Sequence, residues 1–454
     1  MNQVFRFAPS PTGLLHVGNA RVALINWLFS ESVGGSFVLR IDDTDSERST
    51  SEFESAIRRD LEWLGLEWSS VIHQSARFDL YERAAESLKE SGHLYACYET
   101  PEELELKRRL LLSRGHPPTY DQEGLRLTEA QKEKFESKGR KPYWRFRLEP
   151  ENIEWDDLVR GQCHYNGAHI SDPVLIRADG SYLYQLPSVV DDIDLGVTHI
   201  VRGEDHVTNT AAQLQIMRAL SGSTVQFLAH LPLLTDASGK GLSKRIGSIS
   251  LADLQEDGFE PLAIASLLAK LGSAEAIEAQ VSMDALVKDF KISRFSRGSP
   301  KFDADELGFV NAKVLHLTSY WQISERLGKL GVERQALDLR GEEFWEAVKP
   351  NLKKFNEALS WWYVCSGATQ PVIEDEDKAF LAEAATVLPE EPWDSETWVH
   401  WTAALKARTG RKGKFLYLPV RRALTGLSDG PELKYLLPLI GRERAEQRLV
   451  GVTA

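Results

Sequence analysis

Val4-Phe5-Arg6-Phe7-Ala8-Pro9-Ser10-Pro11-Thr12-Gly13-Leu14-Leu15-His16-Val17-Gly18-Asn19-Ala20 is the stretch on which the reading of the fold turns. Val4 to Ala8 is a short apolar run that reads as a strand. Two prolines and a glycine stop it and shape a tight loop. From Ala20 the apolar residues recur at helical spacing: Ala20, Ala23, Leu24, Trp27, Leu28. His16 and Gly18 therefore sit where a strand hands over to a helix. Such a junction aims backbone N–H groups and the positive end of a helix dipole outward, which suits a phosphate. Gly18 lets a bulky group lie against the backbone. His16 offers a hydrogen-bond donor that is neutral or charged near pH 7. A lone Gly-containing fragment of this kind is more often an ordinary surface turn. Pro9-Ser10-Pro11-Thr12-Gly13 ahead of it makes the stretch far more specific.

Working outward, Phe37-Val38-Leu39-Arg40-Ile41 is a second apolar run, about one βαβ unit downstream. The spacing predicts a parallel, doubly wound α/β sheet. The run ends in Asp42-Asp43-Thr44-Asp45, which suits a metal loop, a helix-capping cluster or a polar substrate contact. Helical patterns follow at Phe53–Leu64 and Tyr81–Lys89. From Tyr98 to about Arg177 the character changes. Pro101-Glu102-Glu103-Leu104 starts a charged helix, Pro117-Pro118 breaks it, and Tyr143-Trp144-Arg145-Phe146-Arg147 alternates like a strand. Arg145 and Arg147 face either an RNA backbone or simply solvent. The sheet pattern resumes at Asp172-Pro173-Val174-Leu175-Ile176. The strand Thr198-His199-Ile200-Val201-Arg202 leads into Gly203-Glu204-Asp205-His206, with a helix from about Asn209. Polar residues again fall at a strand's C-terminal end, where open α/β sheets bind ligands. Arg202 offers either a two-pronged fit to a ligand carboxylate or an ion pair with Glu204 or Asp205. Another strand, Phe227 to Leu234, runs into Ser238-Gly239-Lys240-Gly241-Leu242-Ser243-Lys244-Arg245, a glycine-rich cationic loop suited to neutralising a triphosphate.

The chain has 454 residues, 42% hydrophobic and 27% charged, enough for about three domains. No apolar run approaches the roughly 20 residues of a membrane helix, and Met-Asn-Gln-Val running straight into a strand fits no signal peptide. Cys97, Cys163 and Cys365 lie far apart. They exclude a disulfide framework, favour a reducing, cytoplasmic setting and form no Cys-x-x-Cys pair for zinc. A net charge of −13 speaks against nucleic acid unless a positive footprint is local. One segment supplies it: no acidic residue occurs between Glu396 and Asp429, while Lys406, Arg408, Arg411, Lys412, Lys414, Arg421 and Arg422 crowd there. Beyond about residue 250 the strands give out. The rest is helical in period and rich in Trp, at Trp321, Trp345, Trp361, Trp362, Trp393, Trp398 and Trp401, which read as core.

The opening stretch resembles the "HIGH" motif of class I aminoacyl-tRNA synthetases, in the form typical of bacterial-type glutamyl-tRNA synthetases. Glutaminyl enzymes usually read Pro-Glu-Pro-Asn-Gly there. Gly241-Leu242-Ser243-Lys244-Arg245 resembles the second class I motif, "KMSKS", with Gly241 in place of the first lysine and Lys240 beside it. The resemblance implies a Rossmann-type catalytic domain in two halves, 1–97 and 178–250, around an inserted α+β acceptor-end domain, 98–177. A stem-contact region, 251–312, and an all-helical anticodon-binding domain, 313–454, would follow. It implies catalytic roles for His16, Gly18 and Lys244. Thr12, His16, Gly18, Asp205, Leu234, Ser243 and Lys244 would hold ATP. Arg6, Ala8, Ser10, Asp42, Tyr184, Ser188 and Arg202 would hold L-glutamate, Asp42 meeting its amino group and Arg202 its side chain. Arg408, Arg411, Lys412 and Lys414 would meet tRNA. ATP with Mg2+, L-glutamate and tRNA(Glu) are the implied substrates, and a cytoplasmic monomer the implied form. Some members carry zinc near the equivalent of Cys97-Tyr98-Glu99; Glu99 here replaces the second cysteine and implies a zinc-free form. Asn351, where relatives that reject tRNA(Gln) carry arginine, keeps open the alternative of a non-discriminating enzyme that also charges tRNA(Gln). The rivals are a glutaminyl enzyme, a truncated paralogue that glutamylates a modified base, and a non-catalytic tRNA-binding protein. Pro9 to Thr12, the basic helical third, and the intact His16, Gly18 and Lys244 speak against them in turn.

Overall fold

The computed structural model describes residues 3–236, 239 and 249–454. The chain forms two compact units. The first comprises Met1–Asp253, Ala265–Ile277 and Ser282–Asp303, and the second Leu254–Ile264, Glu278–Val281 and Ala304–Ala454.

In the first unit the strands are β1 (Val4–Phe7), β2 (Ser36–Ile41), β3 (Ser70–His73), β4 (Leu94–Cys97), β5 (Tyr143–Phe146), β6 (Asn152–Asp157), β7 (Gly161–Asn166), β8 (Val174–Ile176), β9 (His199–Gly203) and β10 (Phe227–Leu231). Seven of them form one sheet in the order β3-β2-β1-β9-β10-β6-β7. Every neighbouring pair is parallel except the β6–β7 hairpin. The chain winds outward from β1 through β2 to β3, then returns on the other side as β9 and β10. The direction of winding thus reverses between β1 and β9, and a crevice at the C-terminal ends of these strands is where such sheets take ligands. Register puts Arg6 beside Val38, and Arg202 beside His230.

Two features depart from the expected insertion at 98–177. β4, inside the first catalytic half, pairs with β5, and β5 with β8, in a separate antiparallel sheet. β6 and β7, inside the insertion, extend the main sheet through β10. An interrupted βαβ rhythm marks where the chain leaves the sheet. It does not reveal that a hairpin returns to the sheet's far edge. Arg145 lies over the Tyr120 ring, 4.0 Å from its centroid, and donates to the Asp172 carbonyl at 2.5 Å, so of its two readings the half-buried strand is realised.

The first helices are α1 (Val17–Ser32), α2 (Ser51–Trp63), α3 (Phe78–Glu90), α4 (Pro101–Ser113), α5 (Glu129–Glu136), α6 (Gln185–Asp194) and α7 (Val207–Ser221). α1 is apolar on most of its circumference and correspondingly buried. Asn26 donates to the Val201 carbonyl at 3.0 Å, and the buried Arg21 donates to the carbonyls of Pro232 and Leu271. These polar bonds hold α1 in register against β9 and the segment beyond β10. α1 starts at Val17, three residues before its apolar spacing shows, because His16 caps it.

The second unit is helical. Its core includes the fully buried Phe344, Trp345 and Trp401. Trp345 donates from its indole nitrogen to the Thr318 carbonyl at 2.9 Å, and Trp401 to that of Ala384 at 3.0 Å, which satisfies their polar atoms inside an apolar core. Trp361, Trp362, Trp393 and Trp398 pack against the same core, as the core reading expects; Trp321 is exposed.

Candidate active site

His16 turns its ring back onto its own helix. Nδ1 accepts from the backbone N–H of Gly18 at 3.1 Å and of Asn19 at 3.3 Å. A nitrogen that accepts two N–H bonds carries no proton, so the ring's proton sits on Nε2. The His16 carbonyl accepts from Ala20, and the Val17 N–H donates to the Ile249 carbonyl. The expected cradle of bare backbone N–H groups is therefore corrected: all four are bonded within the protein. The helix's positive end acts instead through the imidazole, polarising it toward a donor at Nε2. Gly18 has a matching reason. A Cβ there would meet His16 Cε1 at 3.0 Å and Nδ1 at 3.1 Å. The bulky group lying against this backbone is the histidine itself.

The residues that follow the second motif in the chain meet the first through the backbone. His16 and Ser250 form an antiparallel bridge, and Leu251 donates to the Leu15 carbonyl at 2.9 Å. Ser243 and Lys244, with Lys240, Gly241 and Arg245, lie outside the described residues. Ile249 to Leu251, further along the chain, are tied to the turn that carries His16.

The two arginines expected to face glutamate are both buried but in opposite electrical states. Arg6 donates through Nε and Nη2 to the two carboxylate oxygens of Asp192, at 3.1 and 3.3 Å. Arg202 pairs with no carboxylate among the described residues. Its Nε donates to His230 Nε2 at 3.2 Å and its Nη1 to the Tyr184 hydroxyl at 3.2 Å. Its Nη2 donates to Thr210 Oγ1 at 2.6 Å and Gln213 Oε1 at 2.7 Å. The alternative ion pair with its neighbours is not formed: Glu204 pairs with Arg160 and Asp205 with His206. Burial depresses the Arg202 pKa. Burial also lowers that of His230, whose Nδ1 bonds Asp157 at 2.5 Å.

Asp42 does not stand open to a ligand. Arg40, fully buried, clasps it with Nε at 2.7 Å and Nη2 at 3.1 Å. Burial pushes the Asp42 carboxyl up to about 6, against the pull of Arg40. Arg40 also donates to Asp192, to Ser188 Oγ at 3.2 Å and to the Ser188 carbonyl at 3.3 Å. Ser188 is thus spent on Arg40. The remaining acids of the Asp42–Asp45 cluster have separate duties: Asp43 accepts from Ser75, and Asp45 pairs with Arg48. Thr50, not an aspartate, caps α2. The loop Pro9 to Thr12 is held by Asp42 N–H on the Pro9 carbonyl and Thr50 N–H on that of Pro11, leaving Ala8 and Thr12 half-buried and Ser10 exposed beside β2. Leu234 is buried and Asp205 exposed just past β10 and β9.

Arg40, Asp191, Asp192, Thr210, Gln213, His230 and Asp157 complete this network without announcing themselves as a motif. One signal was available: Arg40 is a charge inside a five-residue apolar run, and Asp191-Asp192 an acidic pair inside an apolar helix segment.

At the expected tRNA contacts, Arg408 pairs with Glu383 at 2.7 Å. Arg411 binds Asp377 and lies 4.3 Å over the Phe380 ring, so its role is at least partly structural. Lys412 and Lys414 are exposed, with Phe415 beside them. For a structural metal, the only triad of suitable side chains among the described residues is Glu99, Asp121 and Glu123. The Lys107 ammonium is paired with all three, and burial pushes the Cys97 thiol up to about 11. The Lys107 ammonium thus already balances the negative charge of this triad. No helix among the described residues is long and apolar enough to cross a membrane.

A doubly wound sheet with a capped histidine at its first βα turn is the frame of a class I tRNA synthetase catalytic domain. Residues 3–309 match the family described as tRNA synthetases class I (E and Q), catalytic domain, and residues 344–452 match an anticodon binding domain. The chain is 55% identical to the glutamate--tRNA ligase of Azospirillum brasilense and 54% identical to glutamate--tRNA ligase 2 of Methylobacterium sp. (strain 4-46), with all of each chain covered. It also matches the crystal structure of a glutamate tRNA ligase from Elizabethkingia meningosepticum in complex with its amino acid, at TM-score 0.85 and 27% identity, over 99% of this chain and 98% of that one. The chain belongs to the glutamate--tRNA ligase family.

Proposed function

We propose that the protein joins L-glutamate to the 3′ end of tRNA(Glu) through glutamyl-adenylate, at the crevice between β1 and β9. Arg202 carries this reading: it is a buried guanidinium whose four partners are all neutral. A buried charge with no carboxylate in direct contact costs on the order of several kcal/mol. A side-chain carboxylate removes that cost, and glutamine's neutral amide does not, which selects glutamate.

The α-carboxylate of glutamate attacks the α-phosphorus of ATP, and the bond to diphosphate breaks. A ribose hydroxyl of the terminal adenosine of tRNA then attacks the acyl carbon, loses its proton, and AMP leaves. The substrate supplies its own nucleophile, so the protein positions groups and stabilises charge. Neutral His16 donates from Nε2 to a phosphate oxygen. Lys244, of the second motif, would add positive charge. Mg2+ bound with ATP would spread phosphate charge, and Asp205, exposed just past the C-terminal end of β9, would be a carboxylate near the nucleotide. Arg6, neutralised by Asp192, shapes the pocket wall with Tyr184, and Ser188 acts behind it by holding Arg40. Lys412 and Lys414 meet tRNA in the helical unit. The protein acts as a zinc-free cytoplasmic monomer.

Pyrophosphate exchange with glutamate, measured with and without tRNA, tests the reading; no exchange under either condition would sink it. Asn351, exposed, stands where tRNA breadth would be read, and charging tRNA(Glu) and tRNA(Gln) side by side measures that breadth.

A further inference from the structure

We infer that Gln213 is a specificity-determining positioning residue, whose neutral amide holds Arg202 in place while leaving its charge for the substrate's side-chain carboxylate. The inference rests on the reading of Arg202 as the glutamate receptor. A guanidinium has five N–H donors. Four are used here, and they divide by position. Nε and Nη2 face His230, Thr210 and Gln213, all buried and fixed by β10 and α7. Nη1 faces Tyr184, which is partly exposed. The buried edge therefore orients the group, and the Nη1 edge is the one presented to a ligand.

What matters is that nothing on the buried edge is ionised. His230 faces Asp157 with Nδ1 and Arg202 with Nε2, so the negative charge of Asp157 reaches Arg202 only through a neutral ring. Thr210 bonds the same His230 nitrogen at 2.8 Å. Gln213 is the residue closest in shape to a carboxylate, and its oxygen already lies 2.7 Å from Nη2. Glutamate at this position would place a permanent counter-charge on Arg202 in a low-dielectric site, where such a pair is strong. An incoming glutamate would then meet a neutral pair. The gain over glutamine would shrink, because selection between them is a charge difference.

The test is Gln213→Glu in the full-length protein, by pyrophosphate exchange in the presence of tRNA with glutamate and with glutamine. The expected result is a KM for glutamate raised about 100-fold, kcat and the KM for ATP within about threefold, and a reduced preference for glutamate over glutamine. Gln213→Met, neutral and similar in size, should raise the KM less than about tenfold. Should Gln213→Glu fail to fold by circular dichroism, Thr210→Asp brings the same charge to the same nitrogen and should give the same pattern. A glutamate KM within about threefold of the parent in the charged variant, or an equal loss in Gln213→Met, overturns the inference. Arg202→Ala run alongside separates the two claims. Loss of glutamate activation there, without the Gln213→Glu effect, leaves the Arg202 reading standing. An unchanged KM there removes that reading itself.

Discussion

Val17 donates its backbone N–H to the carbonyl of Ile249 at 3.2 Å, and this bond ties the segment ahead of the helix from Leu251 to the turn that carries His16. The same turn uses the His16 side chain as its helix cap. One residue thus has two duties, and they can be separated. Asparagine caps helices well but has no N–H at the position of Nε2. His16→Asn should therefore keep the melting temperature while lowering kcat of pyrophosphate exchange about 100-fold. His16→Ala should lose the same activity and about 1 kcal/mol of stability as well. Equal activity in His16→Asn and the parent would show that Nε2 does nothing.

Gly18→Ala sets helix propensity against site geometry. Alanine in a helix is favoured over glycine by about 1 kcal/mol. Its Cβ, however, would come within 3.0 Å of His16 Cε1 and push the ring from its cap. The expected outcome is a chain at least as hard to unfold thermally as the parent, with activity down roughly tenfold or more. A loss of stability in step with activity would place Gly18 in the fold rather than in the positioning of His16.

Much of this is legible in the sequence. The βα turn, the strand-end position of Arg202 and the helical final third follow from period and punctuation, because those are local properties. What could not be read is pairing across distance. Arg6 and Arg202 look alike in sequence, each a cation in an apolar strand. Only the fold brings Asp192 to one and leaves four neutral groups around the other. Asp42 reads equally well as cap, metal ligand or substrate contact until Arg40, two residues earlier, is seen clasping it. The β6–β7 hairpin escaped for the same reason: strand order is non-local, and the insertion's own pattern does not say which sheet edge it meets.

Asp60, on α2 and away from the crevice, makes a prediction about pH. It is buried, and its Oδ2 has no hydrogen-bond partner. Burial pushes its carboxyl up to about 6, with Arg59 pulling the other way. The folded state then holds a proton that the unfolded chain, with a carboxyl near 3.9, has already lost. Stability should fall as pH rises from about 4 to about 6, and stay lower above that. Asp60→Asn removes the charge but keeps the shape. It is expected to flatten this slope and to gain about 2 kcal/mol at pH 7 in urea unfolding. A parallel slope in parent and variant would mean that Asp60 ionises at its ordinary pKa.

The basic segment of the helical unit separates into cations that hold the fold and cations that are free to meet RNA. Arg411 binds Asp377 and covers the Phe380 ring, whereas Lys412, on the turn between two helices, and Lys414, at the start of the second, are exposed. Phosphate contacts act through charge and are weakened by salt. Lys412→Ala with Lys414→Ala should therefore raise the KM for tRNA about tenfold at low salt, with a smaller effect at high salt, and leave the melting temperature and the KM for glutamate unchanged. Arg411→Ala should do the reverse in part: removing it unpairs Asp377 and uncovers Phe380, and should cost about 1–2 kcal/mol of stability in urea unfolding. If the lysine pair changes nothing in tRNA charging at low salt, the footprint lies elsewhere. If Arg411→Ala raises the KM for tRNA as far as the lysine pair does, with no loss of stability, its ion pair with Asp377 is dispensable and the guanidinium reaches the RNA.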